Sequence, residues 1–394
     1  MSLPAKGSGS STPRVHVLDF IRLVAMLLMV QGHTLDALVD PARMDLDSFH
    51  WQTWVNLRGL TAPMFMMVSG AATVLGIRYD LRGRLTGALL RRRVRTALMV
   101  IAIGYLLLFP ANRLADLRWV PRDHWHAFFR VNILQANGVT LLLLTALLCC
   151  TRTVRRYAAW SLACGLAILL AAPLVAGVDW FRLLPEGLAS YLSFQQGSLF
   201  PLFPTSAYMF LGVGLGALLL ETPEPRRART FRMACLTAGL GSLVVSVIAA
   251  RVPFRVLPPG EAWRGGYAFT TCRLGFALLV FGLLGWVAEW RPALSASWAP
   301  LGRRSLFVYV GHLTLIFGTP WTPGLTGPWF HSLTVGAGCL AVILVGGLTF
   351  GAVLFWDWVR KFSAHVGTLA YVSALLVLVR VLVWGFQFRP PWPV

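Results

Sequence analysis

The apolar segment 17–38 carries Asp19, Arg22, His33 and Asp36, residues that are costly to place inside a membrane. With Met26 and Met29 they follow a 3-4-3-4-3 spacing, which sets all six on one stripe of an α-helix. Ionisable side chains at bilayer depth cost about 2.5–3.5 kcal/mol each on insertion scales, so such a stripe must face protein or a water-filled cavity. At a rise of about 1.5 Å per residue, Arg22 and His33 stand about 16 Å apart, roughly half the hydrocarbon core. An imidazole with a carboxylate one turn away can act as a general base, Asp36 orienting His33, or be acylated transiently as a covalent relay. An arginine one turn from Asp19 can bind an anionic group. The plainer alternative is a structural Asp19–Arg22 ion pair and a packed polar His33, and the helix alone leaves both open.

The elements that position this stripe follow from composition. The chain has 394 residues, 57% hydrophobic and only 13% charged, with a mean hydropathy of +0.67. A soluble domain carries about 25% charged residues to face water. The apolar residues form long runs, which predicts an all-α, polytopic transmembrane helix bundle. Eleven spans are expected: 17–38, 54–77, 94–110, 131–150, 157–177, 200–220, 233–251, 269–288, 304–319, 332–355 and 368–386. Residues 1–16 read as a disordered cytoplasmic tail, 17–386 as one transmembrane domain and 387–394 as a short external tail. The external connections 111–130 and 178–199 are amphipathic and suit short interfacial helices.

The net charge of +20 does not indicate nucleic acid, because the basic residues lie in short clusters between apolar runs. With the N-terminus inside, 21 basic residues fall on cytoplasmic segments and 10 on external ones, which predicts N-in and C-out. The largest cytoplasmic cluster includes Arg91, Arg92, Arg93 and Arg95. It suits phosphate groups, whether of lipids or of a nucleotide-like cofactor. The six cysteines sit in or beside apolar segments and read as packing residues, with no disulfide framework or metal-binding spacing. Further polar groups lie at depths similar to His33: Arg58, Gln135, Asn137, Tyr208, Arg273, Tyr309 and His312. Some of these must simply satisfy one another; Arg58, level with His33, is placed either to pair with Asp36 or to contact a substrate. Arg380, in the last span, belongs to no pattern; it either pairs with a buried acid or snorkels.

The run DFIRLVAMLLMVQGH, Asp19 to His33, resembles the first-helix motif of the membrane acyltransferase superfamily. That superfamily includes acyltransferase family 3 and the heparan-α-glucosaminide N-acetyltransferase-like proteins. Its signature is arginine, ten residues, histidine, matched by Arg22 and His33. PMFMMVSG (Pro63 to Gly70) resembles the second-helix stretch ending in Ser-Gly. RRRVR (Arg91 to Arg95) resembles the basic segment that follows it, and LGRRSLFVYVGH (Leu301 to His312) a late motif ending in histidine. RGLTAP (Arg58 to Pro63) and QGHTLDAL are closer to the heparan-α-glucosaminide-like branch. Leu23 stands where the family usually has glycine after the motif arginine.

The resemblance implies an acyl-CoA-dependent O- or N-acyltransferase that passes an acyl group, acetyl by the family, from cytoplasmic acyl-CoA to a glycan or sugar. His33 and Asp36 would be catalytic, and Arg22, Arg92 and Arg95 would hold the acyl-CoA. Arg58, Gln135, Asn137, Tyr309 and His312 would contact substrate. No metal is implied. The expected location is multi-pass in a bacterial inner (plasma) membrane, in contact with lipids and with no nucleic-acid partner. The rival reading is a secondary transporter, which also uses intramembrane Asp, Arg and His. It calls for broken helices paired between two halves of the chain, and no internal symmetry is visible.

Overall fold

A computed structural model describes residues 16–77, 85–251, 265–362 and 365–385. Both terminal tails, apart from His16, lie outside the described residues, as do Arg78, Arg82 and Arg84 of the large arginine cluster. In chain order the helices are α1 (His16–Leu38), α2 (Phe49–Gly59), α3 (Thr61–Val74), α4 (Gly87–Leu107), α5 (Arg122–Phe129), α6 (Ile133–Cys149) and α7 (Val154–Ala176). Two one-turn helices follow, α8 (Trp180–Leu183) and α9 (Glu186–Ala189), then α10 (Leu202–Glu221), α11 (Glu224–Arg251) and α12 (Tyr267–Trp290). The last are α13 (Pro292–Gly302), α14 (Ser305–Phe317), the one-turn α15 (Thr326–Trp329), α16 (Val335–Phe362) and α17 (Val366–Trp384). No strand occurs among the described residues, so the protein is all-helical there.

Each of the eleven expected spans coincides with helix, but the helices are not equivalent. Seven of them, α1, α7, α10, α11, α12, α16 and α17, are long and apolar enough to cross a membrane. The α5–α6 pair, bent by 47°, adds an eighth if it is counted as one span. The expected span 54–77 is broken: α2 ends at Gly59 and α3 starts at Thr61. Pro63 explains the break, because a continuous helix would need a backbone N–H at Pro63 to bond the Gly59 carbonyl. α14 has 13 residues and is therefore about 20 Å long, short of a hydrocarbon core of about 30 Å. The connections 111–130 and 178–199 carry short helices in part: α5 lies in the first and α8 and α9 in the second. They are joined by His126 Nδ1 and Glu186 Oε1 at 2.5 Å.

α1 lies at the centre, packed against α3, α12, α13, α14 and α16. Its buried side chains, including Ile21, Met26 and Val30, occupy more than one face, as expected of a helix surrounded by others. By contrast α17 is mostly exposed, and Arg380 lies on its exposed surface. α3 is held against α10 by close backbone approach. Gly212 and Gly216, four residues apart, face the backbone of Met67 and Ala71, also four apart. A Cβ at either glycine would overlap that backbone, so only glycine permits this crossing. The contact fixes the depth of α3, whose first turns carry Thr61, Ala62 and Phe65 to the site described next.

Candidate functional site

His33 and His312 meet, although 279 residues separate them in sequence. His33 Nδ1 and His312 Nε2 are 2.9 Å apart, and the rings stack with centroids 5.2 Å apart. Behind this contact, His312 Nδ1 lies 2.7 Å from the Val308 carbonyl oxygen. A carbonyl only accepts, so His312 Nδ1 must donate, and in the neutral ring its Nε2 carries the lone pair. His33 Nδ1–H must then donate to that lone pair, which leaves His33 Nε2 unprotonated. One backbone carbonyl thus sets the tautomer of both rings. Tyr309 meets the His312 ring edge-on at 5.6 Å, and Phe317 meets the His33 ring edge-on at 6.3 Å. His312 is fully buried and lines neither cavity.

Two cavities flank His33. Both are bounded by Met29, His33, Thr61, Ala62, Leu199 and Phe200. The first, about 320 Å3, is largely apolar; α1, α3, α4, α6 and α14 wall it, with Phe65, Leu134, Leu313 and Phe317 prominent. Its polar lining includes Gln135, Asn132 and Tyr309. Of its helices, α3 and α14 are short, and α6 makes a span only together with α5, across the 47° bend. A break or a short helix is tolerated at membrane depth where it borders a cavity inside the protein. The second cavity, about 480 Å3, is the more polar of the two: Asp36, Arg58, Arg273, Thr205 and Tyr208 line it, from α1, α2, α10 and α12.

The Asp36 carboxylate is ion-paired with Arg58, brought alongside by α2, and the hydrogen-bond partner of the His33 ring is His312. Arg58 also lies over the Trp54 ring, 4.6 Å from its centroid. Arg273 lies 4.2 Å over Phe269, and Gly59 leaves room for its guanidinium, since a Cβ there would be 2.6 Å from Nη2. The Tyr208 hydroxyl donates to the Thr270 carbonyl at 3.2 Å.

The other sequence candidates are placed as follows. Gln135 is fully buried in the wall of the apolar cavity, whereas Asn137, also buried, lines neither cavity. Arg22 bonds Asp19 at 2.9 Å near the start of α1, away from both cavities. Arg92 and Arg95 are exposed on α4. The residue of that cluster that turns inward is Arg93, which donates to the Thr73 carbonyl between helices. Helical periodicity could have found it, because Arg93, Ala97, Val100 and Gly104 fall on one face and the last three are buried. Among the described residues, no group of three or more His, Cys, Asp or Glu side chains is arranged to hold a metal ion.

A family model described as heparan-alpha-glucosaminide N-acetyltransferase, catalytic, matches residues 14–248, more than half of the chain. The matched region contains His33, Asp36, Arg58, Arg92, Arg95, Gln135 and Asn137; Arg273, Tyr309 and His312 lie beyond it. No curated protein matches the chain.

Proposed function

The chain belongs to the heparan-alpha-glucosaminide N-acetyltransferase family, and from that premise we propose that it is a membrane-embedded acyltransferase centred on His33. The donor is acyl-CoA, with acetyl as the acyl group, and the acceptor is a hydroxyl or amine of a sugar or glycan. The observation that carries this reading is the tautomer chain Val308–His312–His33. It leaves a lone pair on His33 Nε2 at the junction of a polar and an apolar cavity.

The chemistry follows from that lone pair. The acceptor occupies the polar cavity, where Arg58, Asp36 and Arg273 hold its polar groups. His33 Nε2 removes the proton as the acceptor attacks the thioester carbonyl carbon. The imidazolium that forms keeps its Nδ1–H bond to His312, which holds the ring in place through the step. The proton then passes to the departing thiolate of CoA. Gln135 and Tyr309 contact substrate in the apolar cavity, while Asn137 is a supporting residue of α6. Arg22, Arg92 and Arg95 hold the CoA phosphates on the cytoplasmic side. Purified protein in nanodiscs, given isotopically labelled acetyl-CoA and a panel of glucosamine-terminated saccharides, should place label on the sugar. Label that stays on CoA with every acceptor would remove this reading.

The topology that goes with it has eleven spans in one domain, the N-terminus in the cytoplasm and the C-terminus outside. Support comes from the 21-to-10 distribution of basic residues. Single cysteines at Leu85 and at the exposed Leu188, introduced with the native cysteines replaced, should react from opposite faces, the first cytoplasmic and the second external. Labelling of both from one face contradicts the arrangement.

A further inference from the structure

We propose that the apolar cavity beside His33 is the acyl pocket of the donor, with room for a chain of about six to eight carbons and not for acetyl alone. This specificity rests on the acyltransferase reading above. The two cavities divide the substrates by chemistry. Asp36, Arg58 and Arg273 line only the second, where charge suits a sugar. The lining of the first includes no Asp, Glu, Lys or Arg. Gln135 adds no polarity to it, because both polar atoms of its amide are buried without accessible surface.

The place of the cavity along the helices fits the acyl chain and not the rest of CoA. On α4 its lining begins at Gly104, about 14 Å along the helix from Arg95. On α1 it begins at Met29, about 10 Å along from Arg22. The arginines assigned to the CoA phosphates therefore lie toward one end of these helices, and the cavity toward the other. A thioester carbonyl held at His33 has the sulfur on one side, leading back to CoA, and the acyl chain on the other, leading into the cavity. The walls are tied so that they do not close on this space. The Val131 carbonyl accepts from the N–H groups of Leu199 and Phe200 at 3.1 Å each, and Ser198 Oγ accepts from the Val131 N–H at 3.1 Å. These bonds fix the partition between the two cavities to the start of α6. At the far end Phe109 stacks on Trp321 with ring centroids 5.8 Å apart, and Trp321 Nε1 donates to the Asn112 carbonyl at 2.8 Å. That contact joins the end of α4 to the turn after α14, beside Leu108 and Gly318 of the cavity wall.

Size sets the chain length. An apolar cavity of about 150 Å3 takes up benzene. This one, at about 320 Å3, has roughly twice that room. Acetyl presents a single methyl group and leaves most of the space unfilled, so the lining loses the packing contacts that a longer chain would supply. Each further methylene buried there is worth about fourfold in affinity. Acetyl is accepted, and longer chains fit better until they meet the end held by Phe109 and Trp321.

The test is a competition in one vessel. Full-length protein in nanodiscs receives a glucosamine-terminated acceptor and acetyl-CoA mixed with equimolar butyryl-, hexanoyl-, octanoyl- or dodecanoyl-CoA. The ratio of acylated products gives the ratio of kcat/KM for the two donors. Hexanoyl should exceed acetyl by at least about tenfold, well within the fourfold per methylene, and dodecanoyl should fall below octanoyl. Leu313→Trp narrows the pocket and should lower the hexanoyl-to-acetyl ratio at least about tenfold. A ratio taken within one preparation does not depend on how much of the variant folds. If Leu313→Trp gives no transfer, Phe65→Ala decides: it lengthens the pocket and should raise the dodecanoyl-to-hexanoyl ratio at least about tenfold. A wild type that prefers acetyl to every longer chain overturns the acyl pocket while leaving the acyltransferase reading intact. So does a chain-length preference that the deciding variant leaves unchanged. In a second arm, acetyl-CoA is given with a series of alkyl glucosaminides. If the variant shifts preference for the alkyl chain of the acceptor and not for the acyl chain, the cavity serves the acceptor and the assignment fails. A wild type that transfers nothing from any donor overturns both readings.

Discussion

His33→Ala should lower acyl transfer by at least about a hundredfold, within the 10²–10⁴-fold range of general-base catalysis. The substitution removes the imidazole that borders both cavities, and among the described residues no other imidazole lines either of them. His312 faces the Val308 carbonyl through Nδ1, so its Nε2 lies behind His33 and not on a cavity wall. Acetyl-CoA binding should survive within a few-fold, because the arginines assigned to CoA lie elsewhere. The check is a paired measurement on purified protein: transfer rate by label on the sugar, and CoA binding by calorimetry. A variant that binds CoA and transfers at a near wild-type rate shows that His33 is not the base.

His312→Ala should cost almost as much, about 10²-fold and at most the full range of general-base catalysis, although His312 touches no substrate. Without it, His33 Nδ1–H loses its acceptor, the ring is free to rotate, and the competing tautomer, with the proton on Nε2, becomes accessible. His312→Gln separates this positioning role from simple packing. A glutamine carbonyl can accept from His33 Nδ1, so part of the activity should return, whereas a packing role predicts no difference between Ala and Gln of equal stability. The readouts are kcat for the three proteins and their melting temperatures. Equal activity of His312→Ala and wild type would remove the tautomer argument.

The sequence made the stripe on α1 legible because helical periodicity is local. Six residues at 3-4 spacing share a face wherever the helix packs. It also suggested the Arg58–Asp36 pair, since both residues lie at one depth near the external end. The partner of His33 was not legible in the same way. His312 lies 279 residues away, and its approach depends on α14 packing against α1, which no local pattern specifies. Its depth and its motif marked it as important without giving its role. The break at Leu60 was legible in Gly59 and Pro63 but was masked by continuous hydropathy through 54–77. Average hydropathy also concealed that α14 is too short to span alone, because neighbouring apolar loop residues extend the run. The arginine cluster shows the limit of a motif match. The match selects Arg92 and Arg95, both exposed, while the inward residue of the cluster is Arg93.

The most direct test of the central claim is transfer across a sealed membrane. Protein is reconstituted into vesicles, oriented by the accessibility of cysteines at Leu85 and the exposed Leu188. Labelled acetyl-CoA is supplied only on the face that carries residue 85, and a glucosamine-terminated acceptor only on the face that carries residue 188. The account predicts label on the acceptor with wild type and a loss of at least about a hundredfold with His33→Ala. Label that reaches the sugar only when donor and acceptor share one face, or equally with His33→Ala, contradicts it.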